Sequence, residues 1–264
     1  MLAMLAAIAA LQGALAGDRC GYDREHALQW CGTACVDDGS CPYGMRCWTG
    51  LDRPDCGPGA SRSASPSPQL SHGRSTRYWD CAKPTCAWKF GVRSCAKDGA
   101  TTVPSSEQSV VDGGVAFACD SQQPFAGDDG KAYGFAAVSD ESLCCRCYEL
   151  RFTDTAVAGK TMVVQIVNTG PHETGHFDIA MPGGGIGGMD GCTAQFGPGP
   201  DWGQLYGGHY TRDKCYAIPS QLLEGCMFRF DWFAGAVNPS FEYGEVGCPT
   251  ALSDRSGCPK LAEA

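Results

Sequence analysis

Eighteen cysteines stand in this chain, and no other feature narrows its folded state so much. A metal centre is a poor use for them. Zinc needs four converging ligands. Cys144, Cys145 and Cys147 lie close together, but no His-x-x-x-His or paired Cys-x-x-Cys sites accompany them. Disulfides in an oxidising compartment are therefore expected, with no metal and no cofactor. On a strand Cys144 and Cys145 would point to opposite faces, so they should bond to different partners. Residues 1–16 are almost wholly apolar and end in Ala14-Leu15-Ala16, the small-x-small pattern of a leader cleavage site. The stretch is short for a membrane span and lacks a Lys or Arg near its start. Read as a cleaved signal peptide, it agrees with the cysteines and implies secretion.

The cysteines form two even groups. Cys20, Cys31, Cys35, Cys41, Cys47 and Cys56 make a compact block, and twelve more run from Cys81 to Cys258. Between the groups, Gly57 to Pro68 reads Gly-Pro-Gly-Ala-Ser-Arg-Ser-Ala-Ser-Pro-Ser-Pro, which has almost nothing to bury and makes a solvated linker. The expected order is a leader (1–16), a disulfide-knotted module (17–56), a linker (57–73) and a main domain (74–264). A block of about 40 residues cannot hold itself by apolar burial. It nevertheless carries Tyr22, Trp30, Tyr43 and Trp48. These rings either plug the knot or stack on sugar faces, which would make the block a carbohydrate-binding module.

In the main domain the apolar runs are short and β-branched, as in Cys147–Phe152 and Met162–Val167. Gly, Pro and Asn interrupt them at short intervals. That is the signature of a mainly β barrel or sandwich. Helical periodicity is weak except around Ile218–Leu223 and Asp140–Leu143. The abundance of Gly, 36 residues, and the low charged fraction, 19%, fit a loop-rich β protein. The net charge of −9 disfavours nucleic acid and anionic membranes as partners, and leaves a neutral polymer untouched.

Two segments concentrate reactive groups. In Ser75-Thr76-Arg77-Tyr78-Trp79-Asp80-Cys81, an extended chain puts Thr76, Tyr78 and Asp80 on one face and Arg77 and Trp79 on the other. In Gly175-His176-Phe177-Asp178-Ile179-Ala180-Met181-Pro182, His176 and Asp178 share a face while Phe177 and Ile179 anchor the other. An Asp among Phe, Ile, Ala and Met should have a raised pKa, as leaving-group protonation requires. A strand carboxylate that merely accepts hydrogen bonds is the plainer reading of the same residues. The Gly-rich run Pro182–Gly188 lacks the Gly-Lys-Ser/Thr of a phosphate cradle and reads as a turn of close backbone approach. Gly-x-Ser-x-Gly and His-Glu-x-x-His are both absent, as is an N-glycosylation sequon.

At these segments the chain resembles glycoside hydrolase family 45, the small secreted cellulases. The resemblance covers about Arg74 to Cys258. It extends to Gly134-Phe135-Ala136-Ala137, Cys144-Cys145-Arg146-Cys147-Tyr148-Glu149-Leu150, Met181-Pro182-Gly183-Gly184-Gly185, Asp190-Gly191-Cys192-Thr193, Arg229-Phe230-Asp231-Trp232-Phe233 and Asn238-Pro239-Ser240-Phe241. It implies a six-stranded double-psi β-barrel with long disulfide-linked loops, and endo-cleavage of cellulose or another β-1,4-glucan with inversion. By match, Asp80 falls on the general base and Asp178 on the general acid. Tyr78 and His176 fall on flanking residues and Trp88 on an aromatic that stacks a glucosyl ring; Asp190 is a further candidate for a groove contact, and Thr76 joins the site edge through its shared strand face with Tyr78 and Asp80. The implied pairing is Cys81–Cys192, Cys86–Cys144, Cys95–Cys119, Cys145–Cys258, Cys147–Cys248 and Cys215–Cys226.

The chain departs from the family in two places. Ala82 replaces a second Cys whose usual partner, near Val111–Gly113, is missing as well. Pro171 replaces an auxiliary loop Asp, and Glu173 is the nearest carboxylate. An expansin-like wall-loosening protein would share the barrel and the His-Phe-Asp segment but lack Asp80. A barwin-like binding protein would explain the barrel and cysteines but not the paired carboxylates. A monomer is expected.

Overall fold

The computed structural model describes residues 70–259, together with the backbone of two short strands nearer the N-terminus. These, β1 (Arg19–Gly21) and β2 (Arg46–Trp48), pair antiparallel with Cys20 opposite Cys47. The expected leader, the linker up to residue 69 and the rest of the Cys-rich block, with the side chains of Tyr22, Trp30, Tyr43 and Trp48, lie outside the described residues; Ser71–Gly73, expected as the end of the linker, instead open the first barrel strand.

The main unit is built on β3 (Ser71–Tyr78), β7 (Ala132–Val138), β8 (Cys147–Phe152), β9 (Thr161–Thr169), β10 (His176–Ala180) and β11 (Ser240–Val246). Around the ring the order is β10-β3-β11-β8-β9-β7, and β7 pairs again with β10. The sheet is therefore closed and leaves no long edge unpaired. The pairs β3–β10 and β7–β9 are parallel and the other four antiparallel. The expected mainly β, six-stranded barrel is what forms. Its accessories are β6 (Phe125–Ala126) against β7 and a small hairpin of β4 (Ser94–Cys95) and β5 (Thr102–Val103).

β9 shows how the local sequence follows from this. Met162 to Val167 are all buried, so the strand is covered on both faces and reads as a continuous apolar run. Its one polar member, Gln165, is satisfied inside: its amide donates to Cys145 O and its Oε1 accepts from Ser256 Oγ at 2.6 Å. On the β8–β10–β11 side, Phe152, Phe177 and Phe241 meet edge to face at centroid distances of 5.5–5.9 Å. Three short helices cover the barrel: α1 (Cys192–Phe196), α2 (Leu223–Asp231) and α3 (Thr250–Ser256). The helical pattern at 218–223 marks only the lead-in to α2, a 3-10 turn over Ser220–Leu222. The one at 140–143 is a 3-10 turn over Glu141–Leu143.

All six disulfides implied for this domain are formed. Cys144 and Cys145 do bond to different partners, Cys86 and Cys258, but not because they alternate on a strand. β8 begins only at Cys147, and Cys145 sits at φ 68, a sharp reversal that parts the two sulfurs. Where the family's further bridge is lacking, backbone bonds hold the chain: Ala82 bridges to Phe117, and Ala118 N–H donates to Cys81 O at 3.0 Å.

Candidate active site

The parallel register of β3 and β10 puts Asp178 opposite Thr76 and Ala180 opposite Tyr78. Alternation then turns Arg77, Trp79, Phe177 and Ile179 into the protein, all buried. Thr76, Tyr78, Asp80, His176 and Asp178 are left half-open on the other face. Both predicted face assignments hold. Beyond β3 the chain reverses at Cys81, whose φ of 60 is rare for a residue with a Cβ. The Cys81–Cys192 bridge and a bond from Gly191 N–H to Asp80 O pin that reversal, and with it the Asp80 side chain.

Asp178 is held by one strong contact. Thr76 Oγ1 donates to its Oδ1 at 2.6 Å and also lies 2.7 Å from His176 Nε2. A hydroxyl has one proton, so while Thr76 gives it to Asp178 it can only accept from His176. Burial raises the Asp178 pKa, against the Thr76 hydrogen bond and the charges of His172 and Arg77. Asp80 has less support. Its Oδ1 accepts Ala82 N–H at 2.9 Å, and no cationic side chain pairs with it among the described residues. It borders a void of only about 10 Å³, lined also by Tyr78, Ala118, Val167 and Ala180 among others, and the side chain is half-buried, with one side open. That burial, with the charge of Asp178 adding to it, raises the Asp80 pKa from 3.8 to about 7.

Tyr78 stands between the two carboxyls along the strand. Burial first, then the charge of Asp80, keeps its phenol protonated. Asn168 Nδ2 donates to the phenol oxygen at 3.0 Å, leaving the Tyr78 proton free to donate. The same amide accepts from Thr85 N–H at 2.9 Å and so ties the turn Thr85–Ala87 to β9. Trp88 follows that turn. It is 41% exposed, with Lys83 Nζ 3.2 Å from its ring centroid on one face. Lys83 is locked by Ser105 O and Glu107 O, both at 2.7 Å, so the ring is a firm platform.

The remaining candidates stand differently. Asp190 accepts from the N–H and hydroxyl of Thr193, a turn leading into α1 beside the end of the Asp80 segment. Glu173 is well exposed and pairs with Arg74 at 3.3 Å. Its neighbour His172 instead faces Asp178, with Nε2 3.9 Å from Oδ2. Sequence reasoning missed Asn168 and His172. Asn168 had a signal, being the first of the two polar residues that end an apolar strand. His172 had none. The Gly-rich run is the tight turn expected: a Cβ on Gly208 would strike Gly183 O, so the two loops touch backbone to backbone.

Acid–base cleavage of a glycosidic bond asks for one carboxyl that keeps its proton and another nearby that can accept one. Asp178 on β10 and Asp80 just past the end of β3 bring two largely buried carboxyls of raised pKa to one face, and such a pair is the equipment of a glycoside hydrolase. The model of glycosyl hydrolase family 45 matches residues 72–259, and the chain belongs to that family. It is 46% identical over 199 residues to an endoglucanase of Cryptopygus antarcticus, covering 70% of this chain and 88% of that one. It is 40% identical over 203 residues to an endoglucanase of Phaedon cochleariae, covering 71% and 84%. The crystal structure of the cellulase from the Antarctic springtail Cryptopygus antarcticus aligns at TM-score 0.69 and 44% identity, over 73% of this chain and 98% of that one.

Proposed function

We propose that this protein is a secreted endo-β-1,4-glucanase acting on cellulose or a related β-glucan by single-displacement inversion. Asp178 gives its proton to the glycosidic oxygen as the bond to the anomeric carbon breaks. A water forms the new bond from the opposite face of the sugar and passes its proton to Asp80. The observation that carries this reading is the placement of two largely buried carboxyls on one face, four positions apart in register. Four residues of extended chain span at most about 13 Å. That span is wide enough to hold the roughly 6.5–9.5 Å of an inverting pair, which leaves room for the water. Tyr78 is suited to orient that water or a sugar hydroxyl, and Trp88 to stack a glucosyl ring. The sequence of residues 1–16 supports secretion, and the ring-rich block 17–56 supports a separate polysaccharide-binding module.

The expansin-like alternative is disfavoured by Asp80, which a non-hydrolytic protein has no need to hold in this buried setting. Proton NMR of a soluble β-glucan digest tests the proposal. α-Configured reducing ends should appear first and then mutarotate. Initial β-ends would overturn inversion, and no new ends at all would overturn hydrolysis.

A further inference from the structure

The loop between β9 and β10 carries a group that the hydrolytic scheme leaves unused. Gly170 N–H donates to Val138 O at 2.9 Å, and His172 N–H returns to Gly170 O at 2.8 Å. This tight turn folds the His172 imidazole over Gly170, where a Cβ would stand 2.7 Å from Nε2. The ring lies on that of His176, with centroids 4.7 Å apart, and directs Nε2 at Asp178 Oδ2. The other oxygen of that carboxyl is occupied by Thr76. His172 therefore faces the oxygen that is left for chemistry.

We propose that His172 is the positioning residue of the acid, steadying the Asp178 carboxylate once its proton has left and returning a proton to it from solvent. The proposal rests on Asp178 being the acid. After donation, the N–H bond of the His172 imidazolium breaks and an O–H bond forms at Oδ2. The neutral imidazole then takes a proton from water. The proton that Asp80 removed from the attacking water leaves to solvent, so the cycle closes with no net change. A gap of 3.9 Å is longer than a direct hydrogen bond and is closed by a turn of the ring or by one bridging water. The imidazole faces Asp178 and His176 on β10, and the other charges acting on those two groups are Arg77 and Arg74 on β3 and Glu173 in the loop. Glu173 is drawn to Arg74 and does not compete for the ring.

The test compares His172→Gln, His172→Ala and Gly170→Ala with wild type, reading kcat and KM against pH on a soluble β-1,4-glucan. For His172→Gln, kcat should fall about tenfold, less than the roughly 10²–10⁴-fold of direct proton transfer because His172 acts through Asp178, with KM within about twofold. The alkaline limb should move to higher pH, because the cation that favoured the ionised Asp178 is gone. Added imidazole should restore part of the kcat of His172→Ala. Gly170→Ala keeps the imidazole but displaces it, and should lose kcat similarly, which decides the matter if a His172 variant fails to fold. An unchanged kcat, or a loss with neither a moved limb nor imidazole rescue, overturns the proposal. Asp178→Asn is measured in parallel. If it stays active, the acid assignment itself falls. If it is inactive beside an unaffected His172→Gln, only the role of His172 falls.

Discussion

Asp80→Asn should kill hydrolysis and at the same time stabilise the fold in alkaline solution. The wild-type carboxyl titrates near 7 in the folded protein because it is buried without a cation, against 3.8 for an unburied one. A folded pKa above the unfolded one means that the folded state holds its proton longer. The stability so carried is complete below about 3.8, declines as pH rises, and is gone above about 7. The rise corresponds to about 4 kcal/mol at about 1.4 kcal/mol per pH unit. Water reaches the carboxyl from its open side, so about 2 kcal/mol is the expected yield after that screening. Asparagine has the same shape, is never charged, and keeps an oxygen to accept Ala82 N–H. Guanidinium unfolding should therefore find the variant about 2 kcal/mol more stable at about pH 8, and equal to wild type at about pH 3.5. Heating should show a Tm gain of about 4–8 °C at the higher pH. A variant no more stable than wild type at high pH, or one offset equally at both, would refute a desolvated Asp80.

If Trp88 stacks on a glucosyl ring away from the cleaved bond, as proposed, Trp88→Ala should raise KM on polymeric glucan several-fold with kcat little changed; steady-state kinetics on long and short oligomers would show it. Replacing Cys145 and Cys258 with Ala should cost about 2 kcal/mol more than replacing Cys215 and Cys226. The bridges span 113 and 11 residues, and chain entropy grows with the logarithm of the loop. Paired denaturation curves check this, and equal losses would count against it. Removing residues 17–56 should weaken adsorption to insoluble cellulose or chitin and spare turnover of soluble substrate; a pull-down with the solid polysaccharide reads the difference.

The strand alternation that exposes Thr76, Tyr78, Asp80, His176 and Asp178 is a property of the chain itself. Two-residue periodicity needs no knowledge of neighbours, and buried Phe177 and Ile179 make the inward face legible. The need for disulfides, and the family with its pairing, could be read from the residues too. The union of β3 with β10 could not, since it joins segments separated by some hundred positions and is decided by barrel closure. Only that union makes Thr76 the hydrogen-bond donor of Asp178. The same holds for the raised pKa of Asp80, whose flanking residues Trp79 and Cys81 gave no cause for it. Its surroundings come from Val167 on β9 and Ala180 on β10, and from Ala118 in the loop before β6. Glu173 and His172 are adjacent in sequence, and a carboxylate was the natural choice for the site. A turn of the backbone at Gly170 sends the histidine inward and lets the glutamate find Arg74 outside. Sequence determines which groups a strand presents; the distances between strands, which set charge and proton affinity, arise only when the barrel closes.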